Sequence, residues 1–377
     1  MLLVKNANLY TMVNEDPINA DLFVSNGKIA EIGKHIEVSE DVKIIDATGM
    51  NVFPGFIDAH SHLGICEEKA SAQVDESNEN TNPIMPAVRG IDGINPMDSA
   101  FHNALASGIT GVMVGPGSAN PIGGQFAFIK THGRCIDDMI VLAPAAIKIA
   151  FGENPMTNYG LNGNTPSCRM GTASLIREEL FRAKQYFEND NNQEKDFLLE
   201  SYRDLFDGKI PLKAHVHRAD DILTAIRIAK EFGVKMTLEH VTEGHLIVEE
   251  LAAEKYPLAV GPTLTSASKY ELRNKSWTTP GVLAAAGCQV SIVTDSPVVP
   301  QQHLPHCAGM AVAAGMDPFA ALQAITINPA KHIGIEDRVG SIEEGKDADI
   351  LITDGDPLEI STKILKVFVN GNLVVEK

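Results

Sequence analysis

Residues Ile226–His240, IRIAKEFGVKMTLEH, read as a helical run, a glycine able to close it in the left-handed conformation, and a β-branched or apolar strand that ends on a polar pair. The same pattern recurs as NALASGITGVMVG (Asn103–Gly115) and LAAAGCQVSIVTD (Leu283–Asp295). Helix then strand, repeated with no hairpin signal between strands, implies parallel strands joined by right-handed crossovers. Nearly continuous apolar strands imply a sheet covered on both faces, which leaves a doubly wound sheet or a (β/α)8 barrel. Polar residues separate the two. His60 and His62 follow FID, His215 and His217 follow LKA, His240 follows MTLE and Asp295 follows SIVT, each at the C-terminal end of a strand. An open sheet would spread these groups over its width, whereas a closed barrel gathers every strand end at one mouth. The expected fold class is therefore α/β, a (β/α)8 TIM-like barrel over residues 54–330.

Outside that span the pattern changes. LLVKNANLY, ADLFVSNGKIAEIG and VKIIDATGMNVFPG alternate short strands with turns near the start, and DADILITDGDP and ILKVFVNGNLVVEK do so near the end. Asn26-Gly27 and Asn370-Gly371 are hairpin signals. Neither group has enough strands to stand alone, so residues 1–53 and 331–377 are expected to form one composite small β-sandwich domain. Two stretches after strands, Cys66–Pro96 and Gly152–Gly171, are rich in Asn, Gly and Pro and read as long loops walling the barrel mouth. Residues 172–206 read as a helical excursion with a polar break.

A chain of 377 residues with 44% hydrophobic and 21% charged residues has the composition of a globular enzyme. A net charge of −18 disfavours binding to nucleic acid phosphates or anionic membranes. No stretch approaches the roughly twenty apolar residues that span a bilayer, and the first residues do not read as a signal peptide. Five cysteines without a C-x-x-C pair suit a reducing cytoplasm. The expected partners are a small-molecule substrate and further copies of the chain.

PGFIDAHSHLG (Pro54–Gly64) sets polar groups at the end of an apolar run. Residues two apart in a strand point the same way, so His60 and His62 converge on one point. A single histidine there is more often a hydrogen-bonded structural residue. Together with His215, His240 and Asp295 it completes an N/O donor set suited to zinc or a similar divalent ion. Lys148 lies inside the apolar run AAIKIAFGENP, where an ammonium is costly. Either its head reaches solvent or a carboxylate, or the neutral amine is carboxylated by carbon dioxide into an oxygen ligand that bridges two ions. NPIGGQFAFIKTHG lacks the Lys-Ser/Thr ending of a phosphate loop, so nucleotide binding is not expected.

PGFIDAHSH after an N-terminal β region, His215, His240, TDS around Asp295, and the tail TINPAKHIGIEDRVGSIEEGKDADILI together resemble the amidohydrolase superfamily, over nearly the whole chain. More narrowly, IKIAFGENP and HVHR look like an imidazolonepropionase-related branch near the prolidase-like members. The resemblance implies that His60 and His62 bind the more buried metal and that Asp295 is a further ligand and the general base. It makes Lys148, if carboxylated, the bridging ligand, with His215 and His240 on a second metal and His217 facing the substrate. One or two divalent ions per chain, zinc first, are implied. So is hydrolysis of the C–N amide bond of a dipeptide, N-acyl amino acid or cyclic amide by hydroxide generated at the metal. Arg169 and Tyr159, in the second long loop, are candidate substrate contacts, as are Lys269 and Tyr270. The alternatives are a one-metal heterocycle deaminase or an imidazolonepropionase-like ring-opening hydrolase, and a catalytically silent binding module. Deaminases of the superfamily usually carry a Glu a few residues beyond the fifth-strand His, and HVHRADD offers none.

Overall fold

Asn26 and Gly27, at φ of 52° and 77°, and Asn370 and Gly371, at 48° and 72°, form the two hairpin turns read from the sequence. The computed structural model describes residues 1–39, 41–67, 75–189 and 194–377. The chain begins with β1 (Leu2–Leu9), β2 (Ile18–Ser25), β3 (Lys28–Gly33), β4 (Lys43–Asp46) and β5 (Asn51–Pro54). It continues through β6 (Phe56–Ser61), β7 (Ile109–Val114), β8 (Ile122–Lys130) and β9 (Ile140–Ala150). β10 (Leu212–Val216), β11 (Met236–His240), β12 (Leu258–Val260) and β13 (Val290–Ile292) follow. β14 (Ile350–Thr353), β15 (Ile364–Val369) and β16 (Asn372–Glu376) close it.

The two ends of the chain meet in one sheet, ordered β16-β15-β14-β5-β1-β2-β3 with β4 on β1. The sheet branches at β1, whose first residues pair β4 and whose last two pair β5. β14 runs antiparallel to β5 with Ile350 opposite Pro54, so neither end completes the sheet without the other. Leu2, Val4, Leu22, Ile350 and Phe368 fill its core.

The second sheet takes β6 to β13 in chain order. Seven strands run one way, but β8 is antiparallel to both neighbours, which corrects the expected uniform alternation of helix and parallel strand. The reason is local. GPGSANP, residues 115–121, turns the chain directly from β7 to β8 without the helix that would carry it back to the start of a parallel strand.

Closure between β13 and β6 uses no regular ladder. Asp295 N–H donates to the His60 carbonyl at 3.1 Å and His62 N–H to the Ser296 carbonyl at 2.8 Å; lower down, Ile57 and Ile292 donate to Ile325 and Ala324. The Asp58 carboxylate joins this seam, accepting from Thr294 N–H and Oγ1 and from Gln301 Nε2.

The opening stretch folds as read. The helix Ala219–Phe232 buries Ile222, Ala225, Ile226 and Ala229 against the barrel, then ends at Gly233 with φ of 68°. Gly152–Gly171 is more ordered than a long loop, because it holds the helix Glu153–Gly160 and the start of the helix Arg169–Glu188. Residues 68–74 of the first long stretch, and 190–193 at the polar break of residues 172–206, lie outside the described residues.

Candidate metal centre

β6, β9, β10, β11 and the turn after β13 deliver His60, His62, Lys148, His215, His217, His240 and Asp295 to one end of the barrel interior. One ligand atom each from His60, His240 and Asp295 lies within 4.8 Å of the others, and the same holds for His215, His217 and His240. His62 Nε2 lies 3.2 Å from Asp295 Oδ1, and Lys148 Nζ lies 3.1 Å from His60 Nε2. Lys148 is fully buried and points inward.

His60, His62, His217 and His240 are each fixed through Nδ1. His62 Nδ1–H donates to the Gly115 carbonyl at 2.7 Å and His240 Nδ1–H to the Gly261 carbonyl at 2.8 Å, which leaves their Nε2 lone pairs facing inward. Nε2 of His215 and of His240 is buried without a hydrogen-bond partner. Burial holds His60, His215 and His217 well below the usual histidine range and brings His240 to about 4, so all four stand as neutral donors. Burial alone would raise Asp295, but the histidines around it, His240 first, hold its carboxyl well below the carboxylate range. Orphaned, neutral nitrogens facing an ionised carboxylate are the donor set a divalent cation requires, and the residues present fit one.

Residues 195–374 match the model of the amidohydrolase family. The chain superposes on the crystal structure of an amidohydrolase from Thermotoga maritima MSB8 with a TM-score of 0.97, at 42% identity over 100% of both chains. The chain belongs to the amidohydrolase family. Among curated proteins it is similar to amidohydrolase tasK of Hapsidospora irregularis, 28% identical over 93% of this chain and 39% of that protein. It is also similar to an adenine deaminase of Petrotoga mobilis, 24% identical over 100% of this chain and 58% of that one. The chain thus spans about two-fifths to three-fifths of the length of these curated relatives.

Tyr159 and Arg169, two of the anticipated substrate contacts, have partners of their own within the protein. The Tyr159 hydroxyl is buried, donates to the Asn82 carbonyl and accepts from Asn120 Nδ2, so it ties loops together. Arg169 Nη1 is ion-paired with Asp220 and Asp221 at the start of the helix after β10. His217 shares the second cluster with His215 and His240, and its Nδ1 lies 2.8 Å from Thr242 Oγ1.

Several residues with a part in the site escape a reading of the sequence. Glu239, fully buried, meets His60 Nδ1 at 2.8 Å, Lys213 Nζ at 2.7 Å, Thr237 Oγ1 at 2.6 Å and His332 Nε2 at 2.9 Å. Burial pushes its carboxyl up, and Lys213 and His332 more than offset that, holding it ionised well below the usual range. It therefore fixes the tautomer of His60 that presents Nε2 to the centre. The available signal was its place beside His240 in MTLEH, where a strand with one inward face gives no hint that two successive polar residues are both needed. Lys213, two residues before His215 in an apolar strand, carried the same signal as Lys148, and Glu271 followed the candidate contacts Lys269 and Tyr270. Among the described residues no helix is long and apolar enough to cross a membrane.

Proposed function

We propose that this amidohydrolase is a metal-dependent hydrolase of the C–N amide bond of a small substrate, with a dipeptide or N-acyl amino acid as the first choice. The observation that carries the reading is the convergence of neutral, unpartnered imidazole nitrogens on an ionised Asp295 and a buried Lys148. His60, His62 and Asp295 would hold one ion, His215 and His240 a second, with zinc the expected metal. A divalent ion in such a site lowers the pKa of a water from about 15.7 toward about 7 and draws charge from a carbonyl oxygen. Asp295, whose Oδ1 lies 3.2 Å from His62 Nε2, takes the attacking water's proton and returns it to the leaving nitrogen. Asp58 holds the backbone of His60 and Thr294, and so the spacing of ligand and base across the seam.

Burial, helped by the charge of Lys213, brings Lys148 down to about 7 and supports its role as a bridging ligand. The free amine adds to carbon dioxide: the nitrogen lone pair bonds to carbon, an N–H proton leaves, and a carbamate with two donor oxygens results. Five free cysteines accord with a reducing, cytoplasmic setting.

One observation favours a one-metal reading, and with it deamination of a heterocycle. His240 belongs to both ligand clusters, so a single ion between His60, His215, His240 and Asp295 would use it once. Metal analysis by plasma mass spectrometry, on the wild type and on Lys148→Ala, separates the two. About two equivalents per chain, falling to one or fewer in the variant with loss of activity, are expected. One equivalent, indifferent to the variant, overturns the bridged site; none after supplementation with metal overturns the hydrolase.

A further inference from the structure

Glu271 is a buried acid that the proposed chemistry does not use. Its side chain is 1% exposed, and Oε2 accepts from Glu153 N–H at 2.9 Å while Glu271 N–H donates back to Glu153 Oε1. Oε1 has no hydrogen-bond partner. It lies 3.7 Å from His217 Nε2 and 3.8 Å from Lys269 Nζ, within ion-pair range but beyond hydrogen-bonding distance of either. A buried carboxylate oxygen left open in this way costs free energy unless a donor reaches it in the working state.

Its surroundings are built. Gly152, at φ of 81°, admits Oε2 where a Cβ would stand 2.3 Å away, so the carboxylate is locked by the backbone after β9. Lys269 is held from the other side by Asn154 Oδ1. Lys269, Asn154, Glu153, Ser118 and Tyr270 line a cavity of about 600 Å³, and Glu271 Oε1 stands between Lys269 of that lining and His217.

The geometry points to a subsite for an α-amino acid unit, with Glu271 Oε1 accepting the N–H of the scissile amide and Lys269 Nζ binding the adjacent α-carboxylate. An acceptor and a cationic donor 3.8 Å apart match the N–Cα–COO⁻ unit, whose donor and acceptor atoms are roughly 3 Å apart and splay outward along their hydrogen bonds. This rests on the hydrolase reading and narrows it: the leaving group is an amino acid, and amides without a carboxylate next to the scissile nitrogen are poor substrates.

The test compares hydrolysis of N-acetyl amino acids with that of their C-terminal amides, in the wild type and in Lys269→Met, with metal per chain equal in both. Removal of one charge-assisted bond predicts that a preference of about tenfold or more for the acids, expressed in KM, falls to within about twofold in the variant. Glu271→Gln should raise KM for both series. Turnover without preference for the acids, or a preference that survives Lys269→Met, overturns the subsite and leaves the hydrolase intact. Should neither series be turned over, calorimetry with the N-acetyl amino acids decides the subsite alone: binding that Lys269→Met abolishes supports it, and no binding overturns it.

Discussion

His60 shows how much of this centre is set one bond away from the ligands. Its Nε2 faces Lys148 and Asp295, but the direction of that lone pair is decided at Nδ1, where Glu239 accepts. Glu239 in turn is held by Lys213, Thr237 and His332, the last from the helix Ile327–Ile333 that leads out of the barrel. A glutamine in its place cannot accept from all four donors. Glu239→Gln is expected to weaken metal binding by about 10- to 100-fold, read by competition with a chelator on protein shown to be folded by circular dichroism. A residue that served stability alone would leave the affinity of the folded molecules unchanged.

The elements place these side chains by their ends. His240 and Asp295 adopt positive φ, 73° and 53°, where their strands stop, and for residues with a Cβ each such turn costs on the order of 1–3 kcal/mol. Strain of this kind persists where the surroundings fix it, here the His240–Gly261 bond and the seam hydrogen bond from Asp295 N–H to His60. At the helix end before β11 the same backbone region is filled by glycine. Gly233, at φ of 68° with nothing within 4 Å of its Cβ position, ends the helix Ala219–Phe232. Gly233→Ala is predicted to cost about 1 kcal/mol in urea denaturation, from backbone conformation alone and with metal content unchanged.

At the scale of the whole molecule, a buried charge cluster joins the barrel to the sheet of chain ends. Lys130, from β8, pairs with Asp347 at 3.2 Å and with Asp349, while Lys28 and Arg338 complete the shell of Asp347. Lys130→Met leaves two buried carboxylates short of a cation and is expected to lose about 3–5 kcal/mol, measured by denaturation at pH 7. Burial alone would raise the carboxyl of Asp347, but Lys130 and its other partners hold it below its ordinary 3.8. Its contribution is therefore present above about 3.8 and is lost as pH falls through the lower folded value. The variant's stability curve should accordingly be flatter on the acid side than that of the wild type.

The sequence by itself determined what depends on near neighbours along the chain. Gly233 after a helical run, two Asn-Gly turns and polar residues at the ends of apolar strands each act through local backbone geometry, so the barrel, the joined chain ends and the histidine and aspartate set were legible. Only the tertiary structure decided the rest. The reversal of β8 depended on what seven residues between strands could span, and the closure at the seam on Asp58 reaching Thr294 across 236 positions. Lys148 could have faced outward until strand pairing set its register opposite Lys213. Glu239, Glu271 and His332 looked like ordinary polar residues, because a buried carboxylate takes its meaning from the donors that surround it, and those come from elements far apart in the chain.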